Sequence, residues 1–244
     1  MPPTEAAAGA TGVAGGTAAA PAIELRDLGR AYGERIALSG VTLSVPAGQT
    51  LAVFGANGAG KTTLLRILAT LLRPHAGRAE VLGKALPGEG WKVRGRVGML
   101  GHEPMLYRDL TVRENLRFHA RLRDVPEARI AELLEIVALA PRADEPVHTL
   151  SRGMAQRAAI CRATLHAPEL LLLDEPFANL DPGGALAVAP LIGRQAGPAR
   201  VLISHDVEHG LAEADWVLGL RGGRQAFFAS AAEVGVKDVR GLYA

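Results

Sequence analysis

Alternating and continuous apolar segments divide the first quarter of the chain into strands. Residues 22–28 alternate apolar and polar side chains, as a half-buried strand does, and residues 36–45 predict a second strand. After the turn at 46–48, residues 50–54 form a short apolar run, which predicts a buried strand. The pattern therefore predicts an opening antiparallel sheet that leads into a second core.

Helical spacing of apolar residues takes over after this buried run. Thr111 and Glu114 have the spacing of a capping box, and Ser151 is able to cap a later helix. Beyond the last of these helices the alternation resumes, which predicts a terminal hairpin over 216–228 and a small helix from Ala231. The predicted helices are 62–72, 112–123, 126–139 and 149–166, and strands 77–83 and 96–100 lie between the first two.

A glycine-rich loop joins the buried strand at 50–54 to the first helix. Gly55 and Gly60 bracket four residues and are followed by Lys61 and Thr62, which is the pattern of a phosphate-binding P-loop. Free backbone N–H groups and the helix dipole favour an anion at such a junction. The structural alternative is a glycine turn that only joins two elements. The predicted nucleotide-binding residues of the loop are Gly55, Ala56, Asn57, Gly58, Ala59, Gly60, Lys61, Thr62 and Thr63.

The chemistry of the loop residues assigns their roles. Lys61 supplies a mobile charge for the β- and γ-phosphates, and Thr63 donates to the α-phosphate. The Thr62 hydroxyl is a ligand for Mg²⁺, which bridges phosphate oxygens and keeps several waters.

Two later strands end in groups that carry chemistry. Four leucines precede Asp174 and Glu175, and an apolar run over 200–203 precedes Ser204 and His205. Ligands gather at the carboxyl ends of buried parallel strands, so Asp174 is placed to reach Mg²⁺ and Glu175 to orient an attacking water. His205 is placed to sense the γ-phosphate. The alternatives are two acids in a solvated turn and a structural histidine.

Composition narrows the class of protein. The chain has 244 residues, of which 48% are hydrophobic and 21% charged, as in a globular protein with one large domain. The net charge of +2 implies no broad nucleic-acid footprint.

The one cysteine, Cys161, excludes an internal disulfide framework, and its apolar surroundings favour a buried thiol over a reactive one. No apolar run reaches the roughly 18 to 20 residues that span a bilayer. Segment 1–21, rich in Ala, Gly and Pro, is predicted to be a disordered leader.

The order and spacing of these motifs resemble the nucleotide-binding subunit of ATP-binding cassette (ABC) transporters from Ile23 to the terminal hairpin. The loop at 55–63 resembles the Walker A motif, and residues 170–174 resemble Walker B, with Glu175 as the catalytic glutamate. Residues 150–154 resemble the signature segment, residues 179–181 are similar to the D-loop, and His205 is similar to the switch histidine.

This resemblance implies a fold and a pair of ligands. The fold is α/β: a P-loop NTPase core with a mainly parallel sheet flanked by helices, an N-terminal antiparallel β subdomain, and an inserted α-helical subdomain at about 104–167. Residues 22–244 would form a single ABC ATPase domain. The ligands are ATP and Mg²⁺. Tyr32 falls where the family places its adenine-stacking aromatic; its alternative is packing on the sheet edge.

The resemblance also implies a homodimer of cassettes in the ATP-bound state. Each ATP would be held between the P-loop of one copy and the signature of the other, where Ser151 and Gly153 offer donors and Asp181 lies in the D-loop. Two segments depart from the family pattern. Arg152 and Met154 replace one glycine and the glutamine of the signature, whereas Ser151 and Gly153 are kept. Glu103 stands at the usual glutamine of the Q-loop, where its carboxylate could meet Mg²⁺ or water, and we expect altered turnover.

The implied partner is an integral-membrane transporter subunit, and nucleic acid is not expected as a partner. The chain would be cytoplasmic and peripheral on the inner face of the cell membrane. Met105, Leu106 and Tyr107 would lie near the groove that receives this partner, or else in the subdomain core. Residues 100–104 and 110–118 resemble the haem-exporter ATPase of cytochrome c maturation, and residues 175–182 fit it as well, which predicts haem export. The alternatives are the ATPase of a drug or lipid exporter, an ABC ATPase acting on nucleic acid, and a small-molecule kinase.

Overall fold

A computed structural model of the chain describes residues 20–243, whose strands form one continuous sheet. The predicted leader at 1–21 lies outside the described residues except for Ala20 and Pro21, and Pro21 begins the first strand. The strands are β1 (Pro21–Tyr32), β2 (Arg35–Pro46), β3 (Thr50–Phe54), β4 (Ala76–Val81), β5 (Lys84–Leu86), β6 (Val97–Leu100), β7 (Leu170–Asp174), β8 (Ala199–Ile203), β9 (Trp216–Arg221) and β10 (Arg224–Ser230).

Helices flank this sheet and form a separate block between β6 and β7. No helix in the described part of the chain is long and apolar enough to cross a membrane. The helices are α1 (Lys61–Leu68), α2 (Gly90–Val93), α3 (Val112–Arg121), α4 (Glu127–Ile136), α5 (Arg152–Thr164), α6 (Pro182–Ile192), α7 (Val207–Glu213) and α8 (Val236–Arg240).

The sheet has an antiparallel part and a mainly parallel part. Its strand order is β5-β4-β1-β2-β10-β9-β3-β8-β7-β6. Strands β1, β2, β4 and β5 pair antiparallel, whereas β6, β7, β8, β3 and β9 pair parallel. The two parts meet where β10 pairs with β2, at Arg224 and Ser39. This arrangement confirms the predicted α/β fold with an N-terminal antiparallel region.

Strand β7 separates the two main cores of the protein. Its leucines are fully buried and alternate in direction: Leu170 and Leu172 join the core around α1, and Leu171 and Leu173 join the core of the helical block. A strand buried on both faces reads as a continuous apolar run, which explains the four leucines. Cys161 lies in the helical core, and burial raises the pKa of its thiol to about 12.

The first helix is shorter than its apolar spacing predicts. The prediction of 62–72 is wrong at its end, because α1 stops at Leu68 and Thr70 turns into the left-handed region at φ 62°. Leu71 is consequently 63% exposed. In α3 the capping box of Thr111 and Glu114 is confirmed, with both reciprocal hydrogen bonds present.

The pattern of apolar residues missed two helices that border the site. Helix α6 contains Gly183, Gly184 and Pro190, residues that disfavour a helix, but Asp181 caps it by accepting from the Gly184 N–H at 2.9 Å. Helix α7 is short and is capped in the same way by Asp206. The predicted helix 149–166 narrows to α5, with Ser151 as its cap.

A buried arginine ties together the ends of β3 and β8 that lie opposite the glycine loop. Arg200 is 2% exposed, and its guanidinium donates to the Thr50 hydroxyl at 2.8 Å and to the Ile192 carbonyl at 2.6 Å. It also pairs with the Glu213 carboxylate at 2.9 Å. These contacts anchor the two strands that lead to the P-loop and to His205.

We expect Arg200→Ala to lower the free energy of unfolding by about 3 to 5 kcal/mol, because truncation leaves the buried oxygens around it without a donor. Urea unfolding followed by circular dichroism measures the change. Arg78→Ala, which removes an exposed arginine from β4, serves as the control and should change the stability by less than about 0.5 kcal/mol. A loss below about 1 kcal/mol in Arg200→Ala would contradict the anchoring role.

Candidate functional site

The glycine loop between β3 and α1 lies so close to two other strands that two of its residues have no room for a side chain. A Cβ on Gly55 would be 2.3 Å from the Leu220 carbonyl oxygen, and a Cβ on Gly60 would be 2.4 Å from that of Ala37. Both glycines also have positive φ, 150° and 104°. The loop conformation is therefore imposed by β9 on one side and β2 on the other.

Backbone donors at the start of α1 make this loop suited to an anion. The N-cap is Gly60, which has no side chain to satisfy the first N–H groups of the helix. The amides of Lys61, Thr62 and Thr63 thus lack an intrahelical acceptor. Ala56, Asn57 and Gly58 form the exposed outer part of the loop, and Ala59 is buried. A phosphate chain fits this cradle, because the donors and the dipole point the same way.

Lys61 folds back onto its own loop in the described structure. Its Nζ donates to the carbonyl oxygens of Gly55 at 2.6 Å and Ala56 at 3.1 Å. Burial lowers the pKa of the Lys61 ammonium, and the nearby Asp174 and Glu175 partly oppose that shift. A phosphate in the cradle would offer the ammonium a stronger, charged acceptor than these two carbonyls.

Strand β7 delivers two acids beside the loop. The Thr62 hydroxyl donates to the Asp174 carboxylate at 3.4 Å, a long hydrogen bond. Asp174 is 7% exposed, and burial raises the pKa of its carboxyl group. Within residues 20–243, no cluster of three or more His, Cys, Asp or Glu side chains could hold a metal ion by itself. Two hard oxygens beside a phosphate cradle are instead the donor set that suits Mg²⁺, which takes its other ligands from phosphate and water.

Glu175 occupies a constrained position at the end of β7. Its backbone has φ 53°, which is uncommon for a residue with a side chain, and its N–H donates to the Ile203 carbonyl at 3.0 Å. One carboxylate oxygen, Oε1, is buried without a hydrogen-bond partner and lies 3.6 Å from His205 Nε2. Burial raises the pKa of Glu175, and the charge of His205 opposes this. A partly desolvated carboxylate with a free oxygen is suited to hold or polarise a water.

Tyr32 lies at the tip of the hairpin between β1 and β2. Its ring is 43% exposed, with the Arg30 guanidinium 4.9 Å from the ring centroid. Strand β2 runs from this tip to Ala37, the residue beside Gly60. The aromatic ring thus stands at the sheet end nearest the glycine loop, where a planar base could stack on it.

A second depression of about 500 Å³ contains the other group of predicted residues. Ser151, Gly153 and Asp181 line it together, with Arg152 and Asn179. A Cβ on Gly153 would be 2.7 Å from the Asn179 carbonyl oxygen, so the start of α5 packs closely on the segment after β7. The structure therefore groups the predicted residues into two sets, one on the P-loop and β7–β8 side and one at the start of α5.

The loop after β6 does not bring its predicted residue Glu103 into contact with the other site residues. Glu103 is exposed, and its side chain makes no hydrogen bond or ion pair within the described residues. The neighbouring His102 is the loop residue whose charge lowers the pKa of Asp174. The role of Glu103 in catalysis or metal binding stays a prediction.

Sequence reasoning missed Gln156, which links the two sets. Gln156 lies on α5 with 6% exposure, and its amide donates to the carbonyl oxygens of Glu175 at 3.3 Å and Pro176 at 3.1 Å. A glutamine inside an otherwise alanine-rich, buried helix face is the signal that could have identified it.

Comparisons with known proteins agree on a family. The family model described as ABC transporter matches residues 38–178. The chain is 38% identical over 265 residues to a phosphonates import ATP-binding protein of Anaeromyxobacter dehalogenans. That match covers all of this chain and 53% of the relative. The chain is 44% identical over 161 residues to a daunorubicin resistance ATP-binding protein of Streptomyces coeruleorubidus, covering 64% of this chain and 51% of that one. The chain thus spans about half the length of both relatives.

A solved structure extends the similarity to the whole fold. The structure of an ATP-binding subunit of an ABC transporter matches with a TM-score of 0.80 and 28% sequence identity. The match covers 91% of this chain and 94% of the other.

We expect Gln156→Met, which keeps the size but removes the amide, to destabilise the protein by about 1 to 3 kcal/mol, because two buried carbonyls lose their donor. Gln156→Glu should be worse still, since a carboxylate would face the same two oxygens. Thermal and urea unfolding rank the variants. Equal stability of Gln156→Glu and the unaltered protein would show that this link does not exist.

Proposed function

The chain belongs to the ABC transporter ATP-binding family, and from this premise we propose that it binds ATP with Mg²⁺ and hydrolyses it as the ATPase subunit of a transporter. One observation carries the proposal: the Thr62 hydroxyl and the carboxylates of Asp174 and Glu175 converge beside the glycine loop, whose Gly55 and Gly60 leave no room for a side chain. Glycine, hydroxyl and carboxylate in this arrangement meet the three needs of phosphoryl transfer, which are phosphate positioning, metal binding and water orientation.

The residues divide the work of hydrolysis among themselves. The α1 amides hold the phosphates, and the Lys61 ammonium leaves its carbonyl acceptors to reach the β- and γ-phosphates. Thr62 and Asp174 would hold Mg²⁺, which, when bound, neutralises phosphate charge. Glu175 orients the attacking water through its unpartnered oxygen. His205, 3.6 Å away, hydrogen-bonds the γ-phosphate and keeps Glu175 in place.

The separation of the predicted residues into two sets supports the proposed homodimer in the ATP-bound state. Ser151, Gly153 and Asp181 line a depression that does not include the P-loop. In the proposed sandwich this depression covers the γ-phosphate held by a second copy, so that ATP joins the two copies. Ligand binding that favours one state stabilises it by mass action, and hydrolysis removes the stabilisation.

An exposed apolar surface on the helical block supports a membrane subunit as partner. Met105 and Tyr107 are 48% and 54% exposed, and Tyr107 packs edge-to-face on the exposed Phe118. Buried Asn115 fixes this loop, because its side chain accepts from the Tyr107 N–H at 2.7 Å and donates to the Tyr107 carbonyl at 3.0 Å. Leu106 instead packs on the helical core. A rigid apolar patch suits a protruding segment of a membrane subunit, which would place the chain at the cytoplasmic membrane face.

The identity of the transported molecule is a more specific part of the same proposal. Haem export rests on residues 100–104 and 110–118, whereas the relatives are named for phosphonate import and for drug resistance. We therefore propose transporter ATPase activity as the function and haem as one candidate cargo, with drug or lipid export as the alternative.

Three variants of the full chain test the proposal. We expect Lys61→Ala to lower the Mg²⁺-dependent ATPase rate at least about 100-fold, because the cradle loses its mobile cation. Glu175→Gln should bind ATP, fail to hydrolyse it, and accumulate a dimer detectable by size-exclusion chromatography with light scattering. Lys237→Ala, on the exposed side of α8, is the matched control and should behave as the unaltered chain. An unchanged rate in Lys61→Ala would refute the proposed activity.

The pH dependence of hydrolysis tests the role of Glu175. Burial raises the pKa of Glu175 above its ordinary value of 4.5, so activity should fall on acidification at a pH above that value. The charge of His205 lowers this pKa, and His205→Gln removes the charge. We therefore expect the acid limb of the single-turnover pH profile to move to higher pH in His205→Gln, besides an overall loss of rate. A shift to lower pH, or none, would contradict the assignment.

A further inference from the structure

We propose that Arg35 is a nucleotide-binding residue that contacts the phosphate chain from outside the glycine loop. The inference rests on the proposed function, because it concerns the same ATP site. Arg35 belongs to none of the motifs that the sequence pattern singles out.

The first observation is the approach of the Arg35 side chain to the loop. A Cβ built on Gly58 would lie 3.3 Å from Arg35 Nη2, so the guanidinium stands beside the middle of the loop. Gly58 has φ 79° and belongs to the exposed outer part of the loop. Arg35 thus reaches the side of the cradle that the α1 amides do not.

The second observation is the register of the hairpin. Tyr32 and Arg35 pair directly across the two-residue turn that joins β1 to β2. Directly paired residues have neighbouring side chains, so the aromatic ring and the cation stand side by side. A nucleotide whose base stacks on Tyr32 and whose phosphates lie in the loop must pass the guanidinium.

The third observation is that Arg35 has no anionic partner. Within residues 20–243 its guanidinium makes no ion pair or hydrogen bond, whereas Arg30 on the same hairpin donates to the Arg73 carbonyl and contacts His75. Lys61 is held inside the loop by two carbonyls. Arg35 is therefore a cation beside the outer part of the loop that is available to a phosphate.

The chemistry of arginine decides which part of the nucleotide it meets. A guanidinium is planar, permanently charged and able to make two parallel hydrogen bonds to phosphate oxygens. Adenine and ribose carry no charge and gain less from such a donor. We therefore assign Arg35 to the phosphates, with stacking on Tyr32 left to the base.

Competition binding distinguishes this contact from others. ATP, ADP and adenosine would compete with a fluorescent ATP analogue for the full chain in EDTA, where no hydrolysis occurs. We expect Arg35→Gln to weaken ATP and ADP about tenfold and adenosine less than about twofold. Arg35→Lys should lie between, because it keeps the charge and loses the fork. The affinity of Arg35→Gln for ATP should also depend less on salt.

Two reference variants make the outcome unambiguous. Arg78→Gln removes an exposed arginine from β4, two strands away, and should bind ATP as the unaltered chain does. An Arg35→Gln variant that binds ATP within about twofold of the unaltered chain, or that loses adenosine as strongly as ATP, overturns the assignment. Lys61→Ala distinguishes a failure of the Arg35 assignment from a failure of the proposed ATP site. If Lys61→Ala loses affinity for ATP while Arg35→Gln does not, the ATP site is supported and only the assignment of Arg35 is wrong. If Lys61→Ala binds ATP normally, the proposed function fails as well.

Discussion

The backbone-to-backbone approach of the glycine loop to two strands is the constraint on which the rest of the structure depends. Gly55 lies against Leu220 of β9, and Gly60 lies against Ala37 of β2, at distances that exclude any Cβ. One contact comes from the parallel part of the sheet and the other from the antiparallel part, so the loop holds its shape only where both parts meet. Because the loop is fixed from two sides, contacts within the protein orient the amides at the start of α1. A preorganised set of backbone donors is suited to a polyanion.

Burial acts on the three charged groups of the site in a consistent direction. It lowers the pKa of Lys61 and raises the pKa of Asp174 and Glu175, so each charge is destabilised by its surroundings. The groups partly stabilise one another, but Glu175 Oε1 has no hydrogen-bond partner. A phosphate would stabilise the Lys61 ammonium, and a divalent cation would stabilise the two carboxylates. The proposed metal–nucleotide complex supplies both partners at once.

The sequence predicted what local rules determine and missed what tertiary contacts determine. The strand Thr50–Phe54, the capping box of α3 and the buried leucines of β7 each follow from short-range patterns. Helix α1 ends early because Thr70 adopts a left-handed conformation, which no apolar spacing records. Helix α6 forms despite its glycines and proline because Asp181 caps it and Val188 and Ile192 pack on the helical core. The same limit applies to the site. The motifs identified Lys61 and Glu175, but the hydrogen bond from Gln156 to the Glu175 carbonyl is visible only in the three-dimensional structure.

Helix α5 is the element that connects the separate regions of this protein. Its first turn lies against Asn179, and Gln156 in its middle holds the carbonyls of Glu175 and Pro176. Near its end, Arg162 donates to the Met99 carbonyl of β6 at 2.7 Å, and β6 leads into the loop that carries Met105 and Tyr107. A single helix thus contacts three regions. Its start borders the depression that would cover the nucleotide of a second copy, and its middle holds the backbone of Glu175. Its end contacts β6, the strand that precedes the exposed apolar surface. Because packed interiors are dense and have few voids, a displacement of α5 would be felt at each of these contacts.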